Sequence, residues 1–374
     1  MSKDSVSLFR EMRPLGATLD YVPGVAFARS SQHEFLRNIQ ELIDALSLRI
    51  RKDRTAVEEY LLLGRLFRIR GEARRAYRIH RNLLARPMLD RETERRLHVD
   101  LGFDLLEARL HDFGEGYFLK SLESKRQDVA ALDGLSRAYE FQQKWEEAER
   151  FIVKLIKLGR PEQTRLAFVC ATLAQDYLKR GLVTRARRAV HRAFRAEEHN
   201  IFAHLTLADV FIAAERYERA IEGLKAAVRR WPAQSFLVLR RLEDAHYRMG
   251  IFSKYEQTLR ECIRSYPDNY YLHYSLARHL QKKRKNAEAL EVLRRAYDLN
   301  PVYVNTIRDR VRLLDEKSGR RDISSFTDDF FAAFKRSRRF ICPNCRQRHI
   351  PVTWRCTKCG TWGTFEVRYE FPGP

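Results

Sequence analysis

From about residue 57 to residue 300 the chain repeats one arrangement of small, large and polar positions. A small residue is followed twelve positions later by another: Gly64 and Ala76, Ser136 and Ala148, Ala174 and Ala186, Ala208 and Ala220, Ala277 and Ala289, with Gly102 and Gly114 as a variant. Three positions after the first member comes a large residue (Phe67, Tyr139, Tyr177, Phe211, Leu280), and further apolar positions follow four and seven after the second, as Leu293 and Ala296 follow Ala289. These are helical intervals, so each unit predicts two antiparallel helices joined by a turn. The second members recur 34 to 38 residues apart. Pro232, Pro267 and Pro301 follow the second helix of three units, where a missing N–H and a clashing ring stop it. Tyr255 stands where a small residue is expected, which makes the unit near 236–267 degenerate. A further hairpin around Gly24 and Leu36 brings the expected total to about eight.

The period and its small, aromatic, alanine and proline positions resemble the tetratricopeptide repeat. After Pro301 it stops. The stretch VYVNTIRDRVRLLDEK predicts a closing helix, and SSFTDDFFAAFKRS a short one with Phe326, Phe330 and Phe334 on one stripe, suited to covering the last repeat. Residues 364–371, TFEVRYEF, alternate as a half-buried strand with Phe365, Val367, Tyr369 and Phe371 on one face. The expected fold class is all-α: a tetratricopeptide-repeat superhelical solenoid with a small C-terminal β metal ribbon of rubredoxin type. Its expected divisions are a polar segment at 1–20, the repeats at 21–301, capping helices and linker at 302–339, and the ribbon at 340–374.

Four of the six cysteines form two Cys-x-x-Cys pairs, Cys342 with Cys345 and Cys356 with Cys359. A hairpin can bring such pairs to one point, and four thiolates suit one tetrahedral zinc or iron ion. A closed four-Cys set keeps no open position for catalysis, so the expected site is structural. Arg346, Arg348, Arg355 and Lys358 are placed to offset the negative charge, and His349, between complete pairs, reads as an exposed loop residue. With Trp354 and Trp362 the ribbon gains a small aromatic core, but it is short enough that the metal should supply much of its stability. Cys170 and Cys262 fall within repeat helices and read as packed thiols.

Composition alters this picture in one respect. Lys and Arg number 71 against 49 acidic residues, a formal charge of +22, which draws anionic partners: acidic proteins, lipid headgroups or nucleic acid. No apolar run is long enough to span a bilayer, so the chain reads as cytoplasmic, attached if at all peripherally to an anionic membrane surface. No nucleophile–base pairing or phosphate loop is legible, so an enzyme is not expected. The leading expectation is an interaction scaffold whose first helices hold a protein partner. Repeat phase points Arg65, Arg68, Arg137, Gln175, Lys179, Arg278 and Lys282 into that groove, with Asp209 an exception, and such a groove favours an acidic segment. The alternative class is a basic repeat protein that binds RNA or DNA.

Three stretches carry a closer resemblance: YVPGVAFARSSQ at 21–32, LLLGRLFRIRGEARRAYRIHRNLL at 61–84, and FICPNCRQRHIPVTWRCTKCGTWGTF at 340–365. They are similar to the corresponding segments of the lipopolysaccharide assembly protein B family, whose repeats end in a rubredoxin-like ribbon. The resemblance implies a non-enzymatic adaptor at the cytoplasmic face of the inner membrane, which promotes degradation of the committing lipid A deacetylase by a membrane protease. It also implies that the ribbon packs on the repeats. That family typically begins with a membrane-spanning helix, whereas residues 1–20 here are polar and charged.

Overall fold

The computed structural model describes residues 29–300, 303–318, 338–349, 354–363 and 365–369. Expectations for the segment at 1–20, the hairpin partner near Gly24, Pro301 and the Phe326, Phe330 and Phe334 stripe lie outside them. The described chain is an array of helical hairpins. A leading helix α1 (Arg29–Lys52) is followed by pairs α2 (Val57–Ile69) with α3 (Ala73–Leu84), α4 (Arg91–Glu107) with α5 (His111–Ser124), and α6 (Val129–Phe141) with α7 (Trp145–Lys157). The pairs α8 (Gln163–Lys179) with α9 (Val183–Ala196), α10 (Ile201–Ala213) with α11 (Tyr217–Arg230), α12 (Phe236–Arg248) with α13 (Phe252–Ser265), and α14 (Tyr270–Lys282) with α15 (Asn286–Leu299) continue it, and α16 (Val304–Ser318) follows.

Every hairpin turns in the same way. Two residues past each first helix the backbone enters the left-handed region, at Gly71, Arg109, Gln143, Gly181, Glu215, Gly250 and Arg284. The next N–H reaches back to the carbonyl three residues inside the helix end, as Glu72 does to Phe67, Lys144 to Tyr139 and Lys285 to Leu280. This bond closes the helix C-terminus and reverses the chain in three residues. Four of the seven positions are not glycine, so the repeat accepts backbone strain to keep the turn. The opposite ends are fixed by side-chain caps: Asp90, Asp128, Asn200 and Asn269 accept hydrogen bonds from the first N–H groups of α4, α6, α10 and α14.

The small positions have a specific packing use. The first receives the side chain four residues beyond the second, so a large residue there demands glycine. A Cβ on Gly64 would lie 2.2 Å from His80 Nε2, and one on Gly102 would lie 2.5 Å from Phe118 Cε1. Where the incoming side chain is aliphatic, serine or alanine suffices: Ser136, Ala174, Ala208 and Ala277 are buried. Tyr255, at the degenerate position, is also buried, against His246 and His279.

Contacts divide the chain into two units. One comprises Met1–Val169, Pro343–Gln347 and Arg355–Trp362; the other comprises Cys170–Cys342, Arg348–Trp354 and Gly363–Pro374. In the first, Phe118, Leu135, Ala148 and Ile152 centre a core that Trp362 joins from the C-terminal segment. In the second, Leu205, Leu224, Leu242, Leu259, Leu280 and Leu293 form a continuous core that Trp354 joins. The second unit also holds a three-stranded antiparallel sheet in the order β2-β1-β3, made of β1 (Arg338–Ile341), β2 (Arg348–His349) and β3 (Glu366–Tyr369). Phe340 pairs with His349 on one side and Val367 on the other.

Candidate metal centre

Cys342 follows β1 directly, and a turn over 343–345 delivers Cys345; a second turn over 357–359 separates Cys356 from Cys359. The second turn is closed by the Gly360 N–H donating to the Cys356 carbonyl at 2.9 Å and the Cys356 N–H donating to the Thr361 carbonyl at 2.8 Å. Gly360 has φ +72°, and a Cβ there would meet the Arg355 guanidinium at 3.2 Å, so glycine meets both demands. Asn344 ties the two turns together, its Nδ2 donating to Thr361 Oγ1 at 2.8 Å and to Cys359 Sγ at 3.6 Å.

All four sulfurs lie within 4.8 Å of one another, and Cys345 and Cys356 are 3.5 Å apart. Tetrahedral thiolates about 2.3 Å from a zinc ion are roughly 3.8 Å from each other, so the set is close to the required spacing. Cys342 and Cys356 are buried while Cys345 and Cys359 are partly exposed. The thiols compete for a single charge: donation from Cys356 holds Cys359 down at about 4, the same hydrogen bond raises Cys356, and burial raises Cys345 to about 11. Four sulfurs this close cannot all ionise unaided, and a metal cation supplies the charge that lets them do so. The donor set therefore fits one zinc or iron ion.

The second turn is seated in the first unit on Glu140 of α6, which is about 2% exposed. One Glu140 oxygen accepts from Arg355 Nε at 2.9 Å and Trp362 Nε1 at 3.3 Å, and the other accepts from Arg165 Nε at 2.6 Å. Burial opposes the charge on Glu140, but Arg165, Arg355 and Arg137 outweigh it and its pKa is lowered. Arg355 also lies over the Phe141 ring at 4.2 Å, and Trp362 stacks on Phe168 at 5.5 Å and meets Trp145 edge-on at 6.2 Å. Beneath this seat Arg165 Nη1 donates to Asp133 at 2.7 Å; burial pushes Asp133 up to about 6. In the second unit Trp354 stacks on Phe202 at 4.6 Å.

Several expectations are corrected here. Arg355 serves Glu140, and Trp354 and Trp362 pack onto helices instead of forming a separate ribbon core. His349 is buried in β2, its ring edge-on to Phe365 at 5.1 Å, because strand pairing with Phe340 brings it inward. Cys170 and Cys262 are buried helix residues.

Among the expected groove residues, Arg65 is buried and grips Asp100 of α4 at 2.9 Å, while Arg68 bridges Asp100 and Asp104 at 2.9 Å. Arg137 is held by Asp133 at 2.9 Å. Asp209 accepts from Arg241 at 2.8 Å. Gln175 is half-buried and Lys179 exposed on α8. Arg278 and Lys282 are brought together, in one cleft of about 400 Å³ in the second unit. Sequence reasoning missed Glu140, Arg165 and the tyrosines of that cleft. The i, i+7 spacing of Asp133 and Glu140 on one face of α6 was the available signal.

Residues 131–166 match the tetratricopeptide repeat family. The chain is 24% identical over 353 residues to lipopolysaccharide assembly protein B of Escherichia coli strain K12, covering 93% of this chain and 88% of that protein. It is 22% identical to the protein of that name from Haemophilus influenzae, covering 92% of this chain and 88% of that one. Among solved structures, a tetratricopeptide repeat protein from Parabacteroides merdae overlaps 69% of this chain and 98% of its own, at 12% identity and a TM-score of 0.40.

Proposed function

We propose that this chain, a distant member of the lipopolysaccharide assembly protein B family of tetratricopeptide-repeat proteins, is a non-catalytic adaptor that limits lipopolysaccharide synthesis by presenting the committing lipid A deacetylase to a membrane protease. The observation that carries this reading is the span of the likeness, 93% of the chain, in a chain that joins tetratricopeptide repeats to a four-cysteine cluster near its end. In this reading the helical hairpins supply the partner surface. Cys342, Cys345, Cys356 and Cys359 would hold one zinc or iron ion, whose charge would let all four thiols ionise. Glu140 then orients the second turn through Arg355 and Trp362. None of the described helices is long and apolar enough to cross a membrane. In this reading the chain works at the cytoplasmic membrane face, with its basic surface against anionic headgroups. The α9 helix supports that contact: it carries Arg185, Arg187, Arg188 and Arg195 on exposed positions and no acidic residue.

The deciding experiment is deacetylase turnover in a strain lacking this chain. The deacetylase should accumulate, and unchanged turnover would remove the regulatory reading. Elemental analysis of anaerobically purified protein should give about one zinc or iron per chain. Replacing Cys342 and Cys345 together by serine should abolish that metal and expose residues 354–363 to hydrogen exchange while leaving the helical circular dichroism nearly intact, since repeats depend chiefly on their neighbours.

A further inference from the structure

First helices α12 and α14, with Tyr303 just ahead of α16, line a cleft of about 400 Å³. Its apolar corner is made by Tyr271, Tyr274 and Tyr303, whose rings meet edge-to-face at 5.5 and 5.2 Å. Its cations are Arg240, Arg278 and Lys282, against one lining carboxylate, Glu243, to which Lys282 donates. Asp309 is 4% exposed, accepts from the Tyr274 hydroxyl at 2.9 Å and pairs with Arg308 at 2.8 Å. It and Glu243 act on Arg278 only at longer range, and among the described residues no carboxylate lies within ion-pair distance of Arg240 or Arg278. Both arginines are exposed. The cleft therefore presents a surplus of about two positive charges beside an aromatic corner.

We propose that this cleft binds an extended protein segment in which carboxylates flank an aromatic or large aliphatic side chain. The side chain enters the tyrosine corner, and the carboxylates meet Arg240 and Arg278. The donor forks of arginine match carboxylates geometrically, and Ser275 offers a partner to the segment's backbone. Edge-to-face rings make a corner and not a row of open parallel faces, which is the wrong shape for stacking successive bases. The inference rests on the adaptor reading only in taking the occupant to be a protein.

The test uses the whole chain and a fluorescein-labelled peptide of alternating Asp, Glu and Phe, followed by anisotropy, with the Asn and Gln peptide as comparison. The acidic peptide should bind at least about tenfold more tightly than its amide counterpart, the scale of a lost charge-assisted contact. Arg240→Glu combined with Arg278→Glu should weaken it by about tenfold to a hundredfold with unchanged circular dichroism, whereas Arg187→Glu with Arg188→Glu on α9 should leave it unchanged. Equal binding of both peptides, full binding by the cleft variant, or equal loss in the α9 variant would each overturn the proposal, the last by showing that net charge suffices. Displacement by a single-stranded oligoribonucleotide that binds more tightly than the peptide, and that also depends on Arg240 and Arg278, would overturn it in favour of nucleic acid. Acidic-peptide binding alongside unchanged deacetylase turnover would remove the pathway reading and leave the cleft. The converse result would remove the cleft alone.

Discussion

Arginines on first helices meet different fates in the two units, most directly at the position after the first small residue, where Arg65 and Arg137 are paired and Arg278 is not. In the first, Arg65, Arg68, Arg137 and Arg165 all end on carboxylates that are themselves buried or nearly so: Asp100, Asp104, Asp133 and Glu140. In the second, Arg240 and Arg278 face an open cleft whose one lining carboxylate is engaged by Lys282. A buried ion pair specifies how adjacent helices and the second cysteine turn fit together, at a large desolvation cost; an unpaired exposed arginine adds little to folding and remains available to a ligand. The same residue type thus fixes geometry in one region and offers recognition in the other. The difference lies in whether the same or a neighbouring first helix supplies Asp or Glu at the matching height.

The sharpest way to break this contrast is at Glu140. Glu140→Ala leaves Arg355 and the Trp362 N–H without their shared acceptor in a buried site and deprives Arg165 of one of its carboxylates, and should cost about 3 to 5 kcal/mol in chemical denaturation. It should also raise hydrogen exchange over residues 355–362. Arg278→Glu should shift the same denaturation curve by less than about 0.5 kcal/mol. If the two variants lose similar stability, the distinction between the units fails.

Gly64→Ala should be the next largest effect. The added methyl would overlap the His80 ring, and because His80 is locked by Asp104 and the Leu61 carbonyl it cannot swing away. A loss of about 1 to 3 kcal/mol is expected, whereas Gly116→Ala, on an open stretch of α5, should be neutral or mildly stabilising.

His80 also makes the first unit pH-sensitive. Its Nδ1 faces Asp104 at 2.5 Å and its Nε2 faces the Leu61 carbonyl at 3.1 Å, so both nitrogens meet acceptors and the imidazolium is favoured. Burial opposes that charge, but Asp104 outweighs it and the pKa is raised. A group with a raised native pKa stabilises fully below its unfolded value of about 6.5 and loses that contribution as pH rises through the native value. The stability difference between the wild type and His80→Gln should therefore shrink as pH rises from about 6; comparing with the variant isolates His80 from the histidines that burial holds down, such as His98 and His111, whose contribution has the opposite sign. A difference that grows with pH would contradict the assignment.

The smallest effect concerns the turns shared by both units. Glu215 and Arg284 have φ of 57° and 58°, and glycine at either should add up to about 1 kcal/mol in thermal denaturation. Gly181→Ala, at φ 73°, should lose a similar amount.

Repeat phase was legible in the sequence because it rests on local spacing. Small residues twelve apart, large residues three beyond and cap residues between units each act within one or two helices, and the helices fall where those intervals put them. The cysteine pairs were equally plain, since two short turns can meet only if their spacing permits it. The fate of each arginine was not legible, because it depends on a residue 25 to 35 positions away on the first helix of a neighbouring hairpin: Asp100 for Arg65, Glu140 for Arg165, and no carboxylate within ion-pair distance for Arg278. Likewise Trp354 and Trp362 read as members of a small ribbon core, but their partners Phe202 and Phe168 lie far back in the chain. Sequence by itself determined the repeat, its turns and the sulfur donor set; tertiary structure alone decided which charges are buried and satisfied and which stand open, because charge pairing is a property of neighbours in space and leaves no period along the chain.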